Sequence, residues 1–429
     1  MKRRDLLKLG ALAGSGLLVG CSGSLGRMTG SSSTARVVVV GGGPGGLSAA
    51  HTIKKANPKI EVTLVERNAD YSTCFGSNWV LGGITSMEDI TFNYRNLAKH
   101  QIKFVHDEVI GIDPDAQEIT LANHDQPLEY DRLVVSPGIS FRWDMVEGHD
   151  ESTSFKVPHA WKAGYQTMML KAQISDMPEN GTMVMAAPPN PFRCPPGPYE
   201  RASMIAHYMK KHKPKAKLLI LDAKDKFSKQ GLFTSGWEEH YGFGSDNAMI
   251  EWISKSNGGE VAAIDPNNKI VTTKAGEKIK ADVINYIPPQ KANTTAVRMG
   301  LVNESGWCPV NADSFESTLV ANIHVLGDAS IASPMPKSGF AANSQGVLCG
   351  KAVAALLSGK EPDSAAKMAN QCYSLVTPDH GISVAAAYKL DDGKIAKTSG
   401  GLYPKDGNFA GEAQKAHGWY LGMAATMFN

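Results

Sequence analysis

Arg36-Val37-Val38-Val39-Val40-Gly41-Gly42-Gly43-Pro44-Gly45-Gly46 is followed by a second short apolar run, Thr63-Leu64-Val65-Glu66, that ends on an acid twenty residues past Gly46. The first run reads as a strand, the glycines as a turn, the Ala49, Ala50 and Ile53 stretch as a helix, and the second run as a returning strand. Together they form a dinucleotide-binding fingerprint. Gly41 permits the tight turn, Gly43 lets the backbone approach a pyrophosphate, Gly46 allows helix to pack on strand, and Glu66 is placed to accept ribose hydroxyls. A glycine pattern alone would be weak evidence; the strand, helix and strand around it carry the assignment.

The 429 residues exceed what one hydrophobic core usually supports, so two to four domains are expected. A net charge of +2, with 20% charged residues and no basic run interleaved with aromatics, argues against a nucleic-acid partner. Residues 1–34 read as an export signal and linker. Lys2-Arg3-Arg4-Asp5-Leu6-Leu7-Lys8 precedes an apolar stretch from Leu9 to Gly20 that is too short to span a bilayer. The arginine pair resembles a twin-arginine signal, with Leu7 where Phe-Leu would be usual, and predicts a periplasmic product. Leu18-Val19-Gly20-Cys21 also resembles a lipoprotein cleavage box, so a lipid anchor at Cys21 stands beside a free periplasmic product.

Residues 35–160 are expected to form the first part of the dinucleotide domain, with a strand ending at Ser136-Pro137-Gly138 that returns the chain to the site. Residues 161–282 repeat the order of strand, helix and strand. Here the turn after Thr182 to Ala187 is Pro188-Pro189-Asn190-Pro191, and proline offers no N–H to a phosphate. This second domain is therefore expected to lack a nicotinamide site. Residues 283–358 return to the first domain, where Ile323-His324-Val325-Leu326 runs into Gly327-Asp328. An Asp there would meet a ribityl hydroxyl, which favours FAD as the dinucleotide. Lys337, ahead of a helix starting near Ser338, would face the flavin pyrimidine edge; a solvated surface lysine is the plainer alternative. Residues 359–429 read as a small piece that covers the flavin or forms an interface. The fold class is α/β: two Rossmann-like dinucleotide-binding-type domains, the FAD domain discontinuous, plus a small α+β C-terminal domain.

No Cys-x-x-Cys or His/Cys cluster indicates a metal or an attached haem. Cys194 follows the proline turn, at the strand-end edge where doubly wound domains bind ligands, next to Arg193. Cys349 lies about three turns along the helix after Ser338, where a buried apolar cysteine is the plain alternative. Glu200, six residues after Cys194, is either a proton-exchanging carboxylate or a surface acid next to Arg201.

Longer strings resemble the flavoprotein subunit of flavocytochrome c sulfide dehydrogenase, over nearly all of the chain past the signal. They are Tyr71-Ser72-Thr73-Cys74 with Ser77-Asn78 and Gly82-Gly83, Cys194-Pro195-Pro196-Gly197-Pro198-Tyr199-Glu200-Arg201-Ala202, Pro334-Met335-Pro336-Lys337-Ser338-Gly339, and Cys372-Tyr373-Ser374-Leu375-Val376. The resemblance implies that Cys74 bonds the flavin through its 8α-methyl group. It further implies that Cys194 and Cys349 form a redox-active disulfide, with Glu200 nearby. Trp79 departs from the family pattern, and Cys308 and Cys372 receive no redox role.

The implied activity is oxidation of sulfide to sulfur or polysulfide through a disulfide and FAD, with electrons passed to a c-type cytochrome on a separate chain. Two alternatives remain open on the sequence: an enzyme of the sulfide:quinone oxidoreductase type, and a non-catalytic flavin-bound sulfur carrier.

Overall fold

The computed structural model describes residues 34–429; the expected export signal and Cys21 lie outside the described residues. Four consecutive valines extend strand β1 (Arg36–Val40), because β-branched side chains fit a pleated surface and here both faces are covered. The glycine turn leads into α1 (Pro44–Ala56), with proline at the helix start where its missing N–H costs nothing. Strands β2 (Glu61–Glu66), β3 (Ile102–His106) and β4 (Arg132–Val135) follow.

The central domain begins with α2 (Tyr165–Asp176) and continues through β5 (Thr182–Ala187), α3 (Gly197–His212), β6 (Lys217–Asp222), α4 (Gln230–Tyr241), β7 (Ile250–Ile253) and β8 (Val283–Tyr286). Its sheet has the parallel order β7-β6-β5-β8. Val283–Tyr286 therefore completes the central sheet, and the boundary expected at residue 282 moves past it: a fully buried strand paired along β5 cannot belong to another domain. The chain rejoins the first domain at Gln290–Ala292, which pairs with Ile139–Phe141.

β9 (Ile323–Val325) then adds to the first sheet, giving the parallel order β9-β4-β1-β2-β3, and α5 (Gly339–Leu356) packs along α1. The C-terminal piece is an antiparallel sheet of β10 (Lys367–Thr377), β11 (His380–Asp391) and β12 (Lys394–Tyr403), closed by α6 (Phe409–Phe428). This is the α/β architecture expected, with an interrupted first domain.

Close approach explains two groups of glycines. A Cβ on Gly46 would lie 2.0 Å from the carbonyl oxygen of Gly41, which itself sits at φ +103°. On α5, a Cβ at Gly346 would meet the Gly45 carbonyl at 2.3 Å and one at Gly350 the Ala49 carbonyl at 2.8 Å, so these glycines let α5 lie against α1. Backbone atoms cannot rotate away as side chains can. Gly46→Ala is therefore expected to cost about 1–3 kcal/mol of stability through overpacking, read as a lower denaturant midpoint at unchanged m.

Candidate active site

A cleft of about 400 Å³ opens at the C-terminal ends of the first sheet, where doubly wound folds hold ligands. Gly41, Gly43, Gly45 and Glu66 line it, as do Ser136, Pro137 and Gly138. The first turn of α1 has no side-chain cap, so its N–H groups remain available to an anion. Glu66 accepts from the Gly42 N–H at 2.9 Å and from Asn68 at 2.7 Å, which fixes its carboxylate at the mouth of the glycine turn. Gly46 lies behind this surface, against Gly41, and serves the packing rather than the lining.

Gly327 adopts φ +74°, and Gln345 Oε1 accepts from its N–H at 2.8 Å. Asp328 projects into the cleft with Oδ1 buried and lacking a partner among the described residues. Burial raises its carboxyl, against the fields of Arg193 and Lys337. A buried acceptor is costly unless something donates to it. The glycine cradle, the free helix N-terminus, the acid on β2 and this orphaned oxygen together fit FAD, whose ribityl hydroxyls would offer Asp328 a donor.

Lys337, expected to face the pyrimidine edge, lines neither this cleft nor the smaller one beside it. Its Nζ donates to the carbonyls of Asp328 at 2.9 Å and Ser330 at 2.8 Å and lies 3.8 Å from the centroid of the Trp307 ring. Two carbonyls and an aromatic face satisfy the ammonium behind the Gly-Asp turn, so it braces that turn.

A second, smaller cleft of about 110 Å³ adjoins the first, and Cys74, Tyr71, Arg193 and Asp328 line both. Cys194, Cys372, Glu200, Asn78 and Trp79 line the second. Cys194 holds a left-handed φ of +55°, uncommon for a residue with a Cβ, and is pinned by its N–H to the Lys337 carbonyl at 2.7 Å. Burial raises its thiol, and the field of Cys372 raises it further, whereas Arg193 and Lys229 pull it down. Cys372 occupies the buried face of β10 with Asn370 and Ser374, and its thiol contacts Asn370 Oδ1 at 3.5 Å. Asn370 Oδ1 also accepts from the hydroxyl of Ser338, the N-cap of α5.

The structure does not bring Cys349 to Cys194. Cys194 is tied to Lys337, at the start of α5, whereas Cys349 is ten residues beyond Gly339, about 15 Å of helical rise. It is fully buried in the core shared with α1, beside the close-packed Gly350, and does not line the second cleft. Cys372 takes the place beside Cys194 that the resemblance implied for Cys349. The five described cysteines are unbonded.

Glu200 is half-buried, and both its carboxylate oxygens are engaged. Oε2 accepts from Asn78 Nδ2 at 2.9 Å; Oε1 accepts from the Leu375 N–H at 3.1 Å and Trp79 Nε1 at 3.3 Å. Asn78 cannot turn over, because its Oδ1 accepts from buried Arg201 at 3.2 Å. Burial raises the Glu200 carboxyl despite these donors, so it holds a proton to higher pH than a surface glutamate. Trp79, a departure in the sequence, is thus a donor to the site's acid as well as a wall.

Where a nicotinamide would bind in the central domain, the chain supplies its own contacts. Asp222, at the end of β6, accepts from Tyr199 at 2.5 Å, Lys224 at 2.6 Å and Trp252 at 3.0 Å, and Lys224 also donates to the Pro188 carbonyl at 2.7 Å. An acid so occupied has little left to offer a ribose. Away from both clefts, Glu239, His240 and His380 gather, with His240 Nε2 and His380 Nδ1 hydrogen-bonded at 2.9 Å; sequence distance hid this cluster.

A dinucleotide cleft running into a cysteine-lined pocket, carried on two doubly wound domains, defines a flavin-dependent oxidoreductase of the pyridine nucleotide-disulphide oxidoreductase type, and that family model matches residues 35–165. The chain belongs to the family of the flavocytochrome c sulfide dehydrogenase flavoprotein chain: the central-domain model of that protein matches residues 167–288 and its flavin-binding model residues 364–428. A sulfide dehydrogenase [flavocytochrome c] flavoprotein chain from Chlorobaculum thiosulfatiphilum is 55% identical over 47 residues, 11% of this chain and 98% of that one. A sulfide-quinone reductase from Aquifex aeolicus is 24% identical over 331 residues, 71% of this chain and 72% of that one. The crystal structure of the sulfide:quinone oxidoreductase from Aquifex aeolicus superposes with a TM-score of 0.72 at 17% identity, covering 92% of this chain and 91% of that one, which establishes the shared fold.

Proposed function

We propose that this chain oxidises hydrosulfide at a Cys194–Cys372 pair and delivers the electrons, through FAD attached at Cys74, to a c-type cytochrome on a separate chain. The observation that carries this reading is the meeting of Cys74, Cys194, Cys372 and Glu200 around one small cleft that opens onto the dinucleotide site. A flavin bound there would accept electrons in pairs and release them singly. The arginine pair of the N-terminal segment supports export to the periplasm, where a cytochrome of that kind would be met.

The protein groups supply the sulfur chemistry. Hydrosulfide attacks one sulfur of the closed pair, a new sulfur–sulfur bond forms as the old one breaks, and the electron pair of the broken bond stays on the departing cysteine as a thiolate. One cysteine then carries a persulfide. Glu200, raised by burial, takes the proton when the entering species is H₂S or when the persulfide ionises. Arg193, half-buried where the two clefts meet, faces negative charge arising on either side.

Glu200→Gln is expected to slow flavin reduction by sulfide about 10²-fold and to flatten its rise with pH, read by stopped-flow absorbance between mildly acidic and alkaline pH. The amide would set N–H against the fixed Asn78 N–H. The sign for stability follows from the raised carboxyl: wild type loses stability as pH rises through the folded pKa of Glu200, and the glutamine variant lacks that loss. A Glu200→Gln enzyme with the wild-type rate and pH profile would remove the residue from the mechanism.

The relatives that use quinone favour a second acceptor reading. No helix among the described residues is long and apolar enough to cross a membrane, though Leu421 on α6 and Leu402 on β12 are exposed. Anaerobic reduction with sulfide, followed by addition of ferricytochrome c or of decylubiquinone, separates the two. Rapid reoxidation by the cytochrome alone supports the proposal; rapid reoxidation by the quinone alone transfers the enzyme to the other class.

A further inference from the structure

Lys229 is buried at 4% exposure between the central domain and the C-terminal sheet. It sits at the N-cap of α4 with φ +62°, a left-handed conformation uncommon for a residue with a Cβ. Its Nζ donates to Ser374 Oγ at 2.8 Å, to the carbonyl of Cys372 at 3.2 Å and to the carbonyl of Ile382 at 3.5 Å. All of its donors are therefore used on neutral acceptors. The two acids in its field are bonded elsewhere: Glu200 to Asn78, Trp79 and the Leu375 N–H, and Glu412 to Ser383 and Lys415. A buried ammonium without an ion-pair partner is costly to keep and is usually retained for a reason.

We propose that Lys229 is a positioning residue for the reaction assigned above, its buried ammonium holding negative charge on the Cys194–Cys372 pair whenever the sulfur–sulfur bond is open. The inference rests on that assignment of the pair. Lys229 is bonded to the main chain of Cys372 itself, so its charge moves with that cysteine. The groups facing it are Cys372 from β10, Cys194 from the loop before α3, Glu200 from α3 and Glu412 from α6. Burial pulls the ammonium down to about 8 while these groups hold it up, and Lys229 is the first among the influences that lower the Cys372 thiol against its own burial. Arg193 and Arg201 also line the cleft, but Arg201 is committed to Asn78, Asn285 and the His159 carbonyl. The ammonium thus offsets the thiolate that hydrosulfide attack leaves behind, without touching sulfide or flavin.

The test is the pH dependence of alkylation by iodoacetamide in the flavin-loaded protein after reduction, with modified Cys194 and Cys372 quantified by peptide mass spectrometry. Lys229→Met is expected to raise the midpoint of thiolate formation at this pair by about one pH unit or more, a tenfold loss of thiolate near neutrality. Lys229→Gln, which keeps donors but no charge, should do the same, and Lys229→Arg should restore the wild-type profile. If Lys229→Met does not fold, the glutamine and arginine pair decides. Lower melting temperatures with an unchanged alkylation midpoint in the uncharged variants would make Lys229 a structural tie and overturn the proposal. Failure of the sulfide reaction is separable, because it would appear in wild type as flavin that stays oxidised in sulfide, whatever the alkylation profiles show.

Discussion

Cys372→Ser is expected to lower sulfide-dependent flavin reduction by about 10³-fold or more, Cys194→Ser to do likewise, and Cys349→Ser to leave the rate within a small factor of wild type. The contrast follows from placement. Cys194 and Cys372 line one cleft with Glu200, and a serine at either position cannot close or reopen a sulfur–sulfur bond. Cys349 is buried among apolar side chains along α1, where a serine hydroxyl lacks an evident partner, so its substitution should cost about 1–3 kcal/mol of stability with the flavin reaction preserved. Stopped-flow absorbance of each variant mixed anaerobically with sulfide, alongside its denaturant midpoint, checks both halves. A Cys349→Ser protein inert to sulfide yet wild-type in stability would return that residue to the redox pair.

Cys74→Ser is expected to change flavin attachment completely rather than by degree. Cys74 is shared by the dinucleotide cleft and the cysteine cleft, and its carbonyl accepts from the hydroxyl of Ser77 at 2.7 Å, which fixes the turn that presents the thiol. With a thioether at this position, acid precipitation leaves the flavin in the pellet and the denatured chain carries its added mass. In Cys74→Ser the flavin should pass into the supernatant and the chain show its unmodified mass, while the folded variant still binds FAD through the glycine turn, Glu66 and Asp328. Flavin released by acid from the wild-type protein would show that Cys74 only lines the cleft.

Local signals made the first domain legible. The run of valines, Gly41, Gly43 and Gly46, and Glu66 each act within a short stretch of chain, and Gly327-Asp328 ends a strand in plain view. The proline turn after β5 was likewise readable, because the absence of N–H groups is a property of the residues themselves. What escaped depends on which strand of the C-terminal sheet lies over the central domain. Cys372 stands on β10 and meets Cys194 only because that strand packs on α3, a contact spanning well over a hundred residues. Its alternation with Asn370 and Ser374 on the buried face was the available clue, together with its place in one of the strings that carried the resemblance. Lys337 was hidden for a related reason: the carbonyls that hold it lie on the turn at Asp328 and Ser330, and only the folded turn brings them to its ammonium. The domain boundary slipped because Val283–Tyr286 is a short strand whose sequence does not reveal which sheet it joins.

Anaerobic titration of the wild-type protein with sulfide, with the flavin absorbance followed, decides whether the Cys194–Cys372 pair feeds electrons to FAD. Bleaching should be complete at a small multiple of the flavin concentration, with a persulfide recovered on Cys194 or Cys372. Flavin that remains oxidised in large excess of sulfide, in protein whose Cys194–Cys372 bond has been shown to be closed, would contradict that role of the pair.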